Sequence, residues 1–263
     1  PKNLILNQLY LDLESSKEGN YKNKFDCKKI SHNLAELFYI TANALASESI
    51  YPLSNFYLNL AKFLNPKFTN FDILIAENFY INNKLIHAKK TYEKIKSNGK
   101  IYDWFSSKKI ASILILQKKN EKAIKSLTKN FENIEKPTVY EIYDFADFLK
   151  NNKKFKESIK FYSKILENIT SEHELYPKAT DGRGIAFERI NQWDKAEVDF
   201  LNSLKAEPNQ AYVINYLAYT WIEKGIKIKK ALTMLERANN LKKNDGYITD
   251  SLGWALFRLQ KYE

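Results

Sequence analysis

Residues 182–208 read GRGIAFERINQWDKAEVDFLNSLKAEP. Two short segments with helical apolar spacing meet at a polar turn, the pattern of a helical hairpin. In the first, Gly184 is followed three residues later by Phe187; in the second, Ala196 is followed four residues later by Phe200, and Pro208 closes the stretch. Gly184 and Ala196 are small where two helices must cross closely. Phe187 and Phe200 are sized to fill the groove beside the crossing. A proline after the second helix removes no hydrogen bond that the helix needs.

The unit recurs in both directions. The small residue of the first helix returns as Ala42, Ala76, Ala111, Ala146, Gly184, Ala218 and Gly253, at gaps of 34, 35, 35, 38, 34 and 35. That of the second helix returns as Ser54, Ala88, Ala123, Ser158, Ala196 and Ala231. Four residues after each stand Leu58, Tyr92, Leu127, Tyr162, Phe200 and Leu235. Two ladders with one period are the signature of a repeat architecture.

The stretch resembles the tetratricopeptide repeat (TPR) family, whose pattern is W-x2-L-G-x2-Y, then A-x3-F, then P, over about 34 residues. Gly184, Phe187, Ala196, Phe200 and Pro208 hold the Gly, aromatic, Ala, Phe and Pro slots; Thr180 and Arg183 depart from it in the Trp and Leu slots. The resemblance runs from about residue 34 to the end. It implies an all-α fold, a right-handed TPR superhelix (α-solenoid) of about six full helix-turn-helix repeats plus partial repeats at both ends. Residues 1–30 are expected to form a terminal helix and charged connector of a degenerate repeat, and residues 31–263 a TPR array truncated in its last repeat. Residues 35–66, 215–225 and 229–263 are similar to long, envelope-associated TPR proteins of bacteria. That likeness implies a helical scaffold of the cell envelope, in the periplasm or membrane-anchored, with the cytoplasm as the alternative. The chain is accordingly expected to be a piece of a longer protein.

Composition agrees with amphipathic helices. Of 263 residues, 44% are hydrophobic and 28% charged, and only 7 are Gly and 6 Pro, too few for a turn-rich β architecture. No apolar run approaches the roughly 20 residues of a membrane span. The single Cys27 excludes an internal disulfide framework and a thiolate metal cluster. The net charge of +11 fits lysines on solvated turns, and also leaves open a polyanionic partner.

Along the chain, residues 4–15 have helical spacing and are expected to be the second helix of an earlier, degenerate repeat. Residues 16–31 read as a charged connector, and Ser31 is placed to cap the next helix. Helix pairs are expected at 70–82 with 85–97, 101–118 with 121–133, 138–151 with 155–168, 177–190 with 193–206, and 209–224 with 228–241. The longest gap places an insertion near residues 169–176.

Catalytic patterns are missing. His32, His87 and His173 have no second ligand at metal spacing, so no metal or cofactor is expected. Gly182-Arg183-Gly184 lacks the third glycine and preceding strand of a phosphate loop. The chain is therefore read as no enzyme. Its expected work is binding a protein or peptide in the groove lined by the first helices. The groove set is Tyr39, Asn43, Glu77, Tyr80, Tyr143, Asp147, Lys150, Glu188, Arg189, Asn215, Tyr219, Asp250 and Trp254; tyrosine and tryptophan give large contact area at low entropic cost. The lysine–asparagine clamp that some TPR proteins use for carboxylate tails is not reproduced: the equivalent pairs are Tyr39 with Asn43, Ile73 with Glu77 and Lys108 with Ser112. Basic clusters at residues 22–29, 118–119, 150–156, 227–230 and 242–243 fall mostly at turns, not on one face, so no specific nucleic acid is expected and membrane association only indirectly. The alternatives are a solenoid binding RNA or an anionic membrane surface, or the accessory array of an enzyme whose catalytic domain lies elsewhere. Trp254 and its neighbours, in an unpaired last helix, raise the expectation of self-association through the C-terminal end.

Overall fold

The computed structural model describes residues 3–14 and 25–260. The described residues hold helices and turns and no strand. The helices are α1 Leu4–Glu14, α2 Ile30–Ser47, α3 Tyr51–Leu64, α4 Asn70–Ile81, α5 Leu85–Ile95, α6 Lys100–Leu116, α7 Asn120–Glu132, α8 Val139–Asn151, α9 Phe155–Leu166, α10 Tyr176–Arg189, α11 Trp193–Ala206, α12 Ala211–Glu223, α13 Ile228–Leu241 and α14 Gly246–Arg258. The expected pairs are all present. Most of the charged connector, with the start of the basic run at 22–29, falls outside the described residues. Ser31 caps nothing: it lies inside α2, whose cap position is Lys29.

The chain divides into two compact units, Pro1–Glu135 and Lys136–Glu263. The first holds the hairpins α2/α3, α4/α5 and α6/α7. The second holds α8/α9, α10/α11 and α12/α13, followed by α14. Within each unit the second helix of one hairpin packs on the first helix of the next. The ladders form the core. Ala42, Ala76, Ala111, Ala146 and Ala218 are buried on the first helices; Ser54, Ala88, Ala123, Ser158, Ala196 and Ala231 are buried on the second. Leu58, Tyr92, Leu127, Tyr162, Phe200 and Leu235 are buried one turn further on. Serine is tolerated at the crossing because its hydroxyl finds a carbonyl: Ser54 Oγ donates to the Ala42 carbonyl at 2.8 Å. Gly253 departs from the ladder, being exposed with open space where a Cβ would stand.

The turns inside the hairpins form a third ladder that the sequence does not advertise. Ser49, Asn83, Lys118, Lys153, Asn191, Gly225 and Gln260 all have left-handed backbone, at the same gaps as the small residues. In the first six of these turns two backbone bonds close the end of the first helix. In the fourth hairpin, for example, the Lys154 N–H donates to the Leu149 carbonyl at 2.9 Å and the Lys153 N–H to the Lys150 carbonyl at 3.0 Å. This is the Schellman arrangement, in which one left-handed residue satisfies carbonyls that the helix end would otherwise leave open. Glycine takes the position once; lysine, asparagine, serine and glutamine carry the steric cost elsewhere.

Residues 182–184 show how tightly the second unit is built. A Cβ on Gly182 would stand 2.5 Å from the Tyr162 ring of α9; one on Gly184 would stand 2.9 Å from Phe200 of α11. Between the glycines, Arg183 reaches both neighbours. Its Nε and Nη2 donate to the two carboxylate oxygens of buried Asp199 at 2.8 Å each, and its Nη1 donates to Ser163 Oγ at 3.1 Å. The apolar slot of the family pattern is thus filled by a bidentate ion pair.

α1 departs from expectation. Its main packing partner is α6, the first helix of a later hairpin, so its position is not that of a second helix heading the stack at α2.

Two stability measurements follow. Gly184→Leu should cost about 3 kcal/mol in chemical denaturation through overpacking against Phe200, while Gly246→Ala, which meets open space, should change stability by less than about 0.5 kcal/mol. Lys153→Gly should stabilise the chain by about 1 kcal/mol, by relieving a left-handed non-glycine residue.

Candidate binding groove

First helices of neighbouring hairpins touch: α2 meets α4 in the first unit, and α8 meets α10 and α12 meets α14 in the second. They form a wall in each unit.

In the first unit, Tyr39 packs against Phe68 and Phe71, at ring-centroid distances of 6.1 and 5.5 Å. It borders a hollow of about 530 Å³ together with Ile73, Leu74 and Glu77, with Asn3, and with Leu4 of α1. Glu77 is held from two sides: the Tyr92 hydroxyl donates to its Oε1 at 2.7 Å and Lys109 Nζ to its Oε2 at 2.9 Å. Lys109 also stands over the Tyr80 ring, 5.6 Å from its centroid. Glu77 and Tyr80 are thereby joined through a lysine that the sequence reading missed. Asn43 stays apart, its Nδ2 turned back onto the Tyr39 carbonyl at 2.8 Å.

In the second unit three groups form. Asp147 accepts from Lys150 Nζ at 2.7 Å, from Asn151 Nδ2 at 2.8 Å and from the Tyr162 hydroxyl at 3.3 Å. The Tyr143 ring lies 6.1 Å from that of Tyr162, and Asp181 of α10 adds a second carboxylate within electrostatic reach of Asp147 and Lys150. Further along, the Tyr216 hydroxyl donates to Glu188 Oε2 at 2.9 Å, with Arg189 at 3.5 Å from the same oxygen. The third group is a cleft of about 500 Å³ bordered by Tyr219, Glu223, Asp250, Gly253, Trp254 and Phe257. There Trp254 Nε1 donates to Glu223 Oε1 at 2.5 Å, and the rings of Trp254 and Phe257 stack with centroids 5.4 Å apart. Asn215 joins none of these groups; its Oδ1 is buried without a hydrogen-bond partner among the described residues.

Two of these arrangements obey one rule. Where the second-helix ladder carries tyrosine, at Tyr92 and Tyr162, the residue 15 positions earlier is acidic, Glu77 and Asp147. Where the ladder carries Leu58, Leu127 or Phe200, that earlier residue is Asn43, Ser112 or Ile185. A buried phenol needs a partner for its hydroxyl, and the groove carboxylate supplies it. This covariation within the sequence was a usable signal for Tyr92 and Tyr162. Tyr216 and Asp181 had none.

Electrostatics separate the tyrosines from the acids. Burial, then the Glu77 charge, holds the Tyr92 hydroxyl protonated far above the usual phenol range; burial and Asp147 do the same for Tyr162. Burial dominates at Tyr143 and Tyr216 too. Each phenol is a donor at any physiological pH. Asp181 is pushed up to about 6 by burial, with Lys150 opposing and Asp147 reinforcing the shift. Because its folded pKa lies above the unfolded one, its stabilising contribution is complete below the ordinary carboxylate range and is lost as pH rises through about 6. Asp181→Asn should therefore stabilise the second unit above pH 6, on the order of 1–2 kcal/mol, and lose that advantage near pH 4. Denaturation curves at several pH values across this range check the sign.

No protein-family model matches the sequence, and no curated protein matches it. Solved structures do match. A tetratricopeptide repeat protein from Parabacteroides merdae superposes with a TM-score of 0.63 at 15% identity, covering 87% of this chain and 88% of its own. The C-terminal part of a TPR repeat-containing protein from Cytophaga hutchinsonii gives 0.57 at 16% identity, covering 85% and 87%. The Cut9-Hcn1 hetero-tetramer of the APC/C gives 0.59 at 14% identity over 94% of this chain; the chain spans only 46% of that one. Buried ladders, repeated hairpins and these structural matches together give the chain the fold of the tetratricopeptide repeat proteins.

Proposed function

We propose that the chain is a non-catalytic scaffold or adaptor that binds a protein or peptide along the walls of its first helices. The observation that carries this reading is the second-unit wall. Asp147 and Glu188 are already oriented there by tyrosine hydroxyls; Arg189 is exposed beside Glu188, and Tyr219 is exposed further along, at the cleft it shares with Trp254. Polar groups fixed before binding lose little entropy when a partner arrives. Exposed tyrosine and arginine are the residue types that dominate binding energy at protein interfaces. The envelope setting implied by the sequence likeness is part of the same proposal. A second reading, self-association at the C-terminal end, is favoured by the exposed, stacked Trp254 and Phe257.

The test starts from peptides selected out of a random library against the whole chain, with affinities then measured by calorimetry. Tyr219→Ala and Arg189→Ala should each weaken binding about tenfold or more, and Lys160→Ala on the exposed side of α9 should leave it unchanged. Selected peptides indifferent to both groove substitutions would refute the reading. Tight binding of RNA or anionic vesicles at physiological salt would favour the polyanion alternative instead.

A further inference from the structure

The chain holds several of its own lysines by one arrangement. An aromatic side chain donates a hydrogen bond to a carboxylate, and a lysine settles on that carboxylate and over a ring. Trp221 Nε1 donates to Glu197 Oε1 at 2.9 Å, and Lys227 pairs with the same oxygen while standing 4.5 Å from the Trp221 ring centroid. The Tyr212 hydroxyl donates to Asp245 Oδ2, and Lys242 lies 3.1 Å from that oxygen and 4.0 Å from the Tyr212 centroid. At Glu77 the donor is Tyr92, and Lys109 spans the carboxylate and the Tyr80 and Phe105 rings. The negative face of the ring and the carboxylate attract the ammonium together.

The cleft between α12 and α14 repeats this arrangement without the lysine. Trp254 Nε1 donates to Glu223 Oε1. Among the described residues Glu223 forms no ion pair, and Asp250, across the cleft lining, forms neither an ion pair nor a side-chain hydrogen bond. Arg258 lies over the Trp254 ring, 5.9 Å from its centroid, but pairs with neither carboxylate. Tyr219 and Phe257 add two more rings to the lining, and no lysine or arginine belongs to it. The Tyr140–Glu174 pair also stands without an ion pair. At Trp254 the unpaired carboxylate is joined by a second one and by a cleft of about 500 Å³.

The cleft lies on the wall. Tyr219 and Trp254 directly follow the small residues Ala218 and Gly253, as Glu77 follows Ala76 and Asp147 follows Ala146. The chain carries a net charge of +11, so two uncompensated carboxylates in one cleft run against its overall balance. Their complement is a cation from outside.

We propose that this cleft receives a basic side chain, arginine or lysine, of the peptide partner, with its cation at Glu223 and Asp250 and against the aromatic rings. The proposal rests on reading the second-unit wall as a peptide-binding surface, and it adds which residue the peptide must carry.

The probes are capped pentapeptides with one arginine, lysine or citrulline between glycines; citrulline keeps the shape of arginine and loses the charge. Each is titrated into the isotope-labelled full chain, with the indole N–H signals as readout and that of Trp254 assigned through Trp254→Phe. The arginine and lysine peptides should shift the Trp254 signal saturably, and the citrulline peptide should bind at least about tenfold more weakly. Asp250→Asn, at a side chain with no hydrogen bond to lose, and Glu223→Gln, which keeps an acceptor for the indole, should each weaken both cationic peptides at least about threefold. Cationic peptides no tighter than the citrulline peptide, or affinities unmoved by both substitutions, would overturn the proposal. So would a Trp254 signal that moves with protein concentration and not with peptide, since a second copy would then fill the cleft. If library peptides respond to Arg189→Ala while the cationic probes leave Trp254 unmoved, the cleft assignment fails and the groove reading survives. If the probes bind as stated and library peptides ignore Arg189 and Tyr219, the cleft stands and the broader groove reading falls.

Discussion

Each hairpin depends on one steric condition: two helix axes approach until nothing larger than a methyl or hydroxymethyl group fits between them. Alanine, serine and glycine meet it, and the next turn of the second helix then presses a leucine, tyrosine or phenylalanine into the space beside the crossing. Close-packed interiors transmit a volume change of even one methylene, so this condition sets the spacing of everything attached to the hairpin. The polar walls inherit their geometry from it. Glu77 and Asp147 follow the small residue directly, and the tyrosines that hold them occupy the ladder itself.

That dual use explains why a single position serves both core and surface. Tyr92 and Tyr162 bury their rings as any ladder residue does and extend their hydroxyls to the wall. Packing and the chemistry of the wall are therefore coupled. A ladder leucine gives an equally dense crossing and leaves the wall residue free to be Asn43 or Ser112. The wall's chemistry varies from hairpin to hairpin while the spacing does not.

Most of the fold was legible because it rests on period and residue size, both of which a linear sequence displays. Small residues at a constant gap need no partner information to be recognised. The wall was legible in part: Glu77, Asp147 and Tyr219 follow from the register, whereas Lys109 and Asp181 matter through neighbours on other helices. Arg183 looked like a defect in the family pattern because its partner, Asp199, is one helix away. α1 was misplaced for a related reason. Its apolar spacing specifies a helix but not which surface receives it, and the feature that receives Gln8, at Gly99, is an absence of atoms.

The Arg183 clamp also bears on modularity. Hairpins that share one spacing invite the view that they are interchangeable links. Asp199 belongs to α11 and Ser163 to α9, so a single guanidinium from α10 binds its own hairpin to the one before it. An ion pair removed from water tolerates the loss of neither member, since the survivor is left charged and unsolvated. Moving this hairpin elsewhere in the order would part Arg183 from Ser163, and recombining its two helices with those of another would strand either charge. The clamp works as an address label, giving one link of a repetitive chain a fixed predecessor.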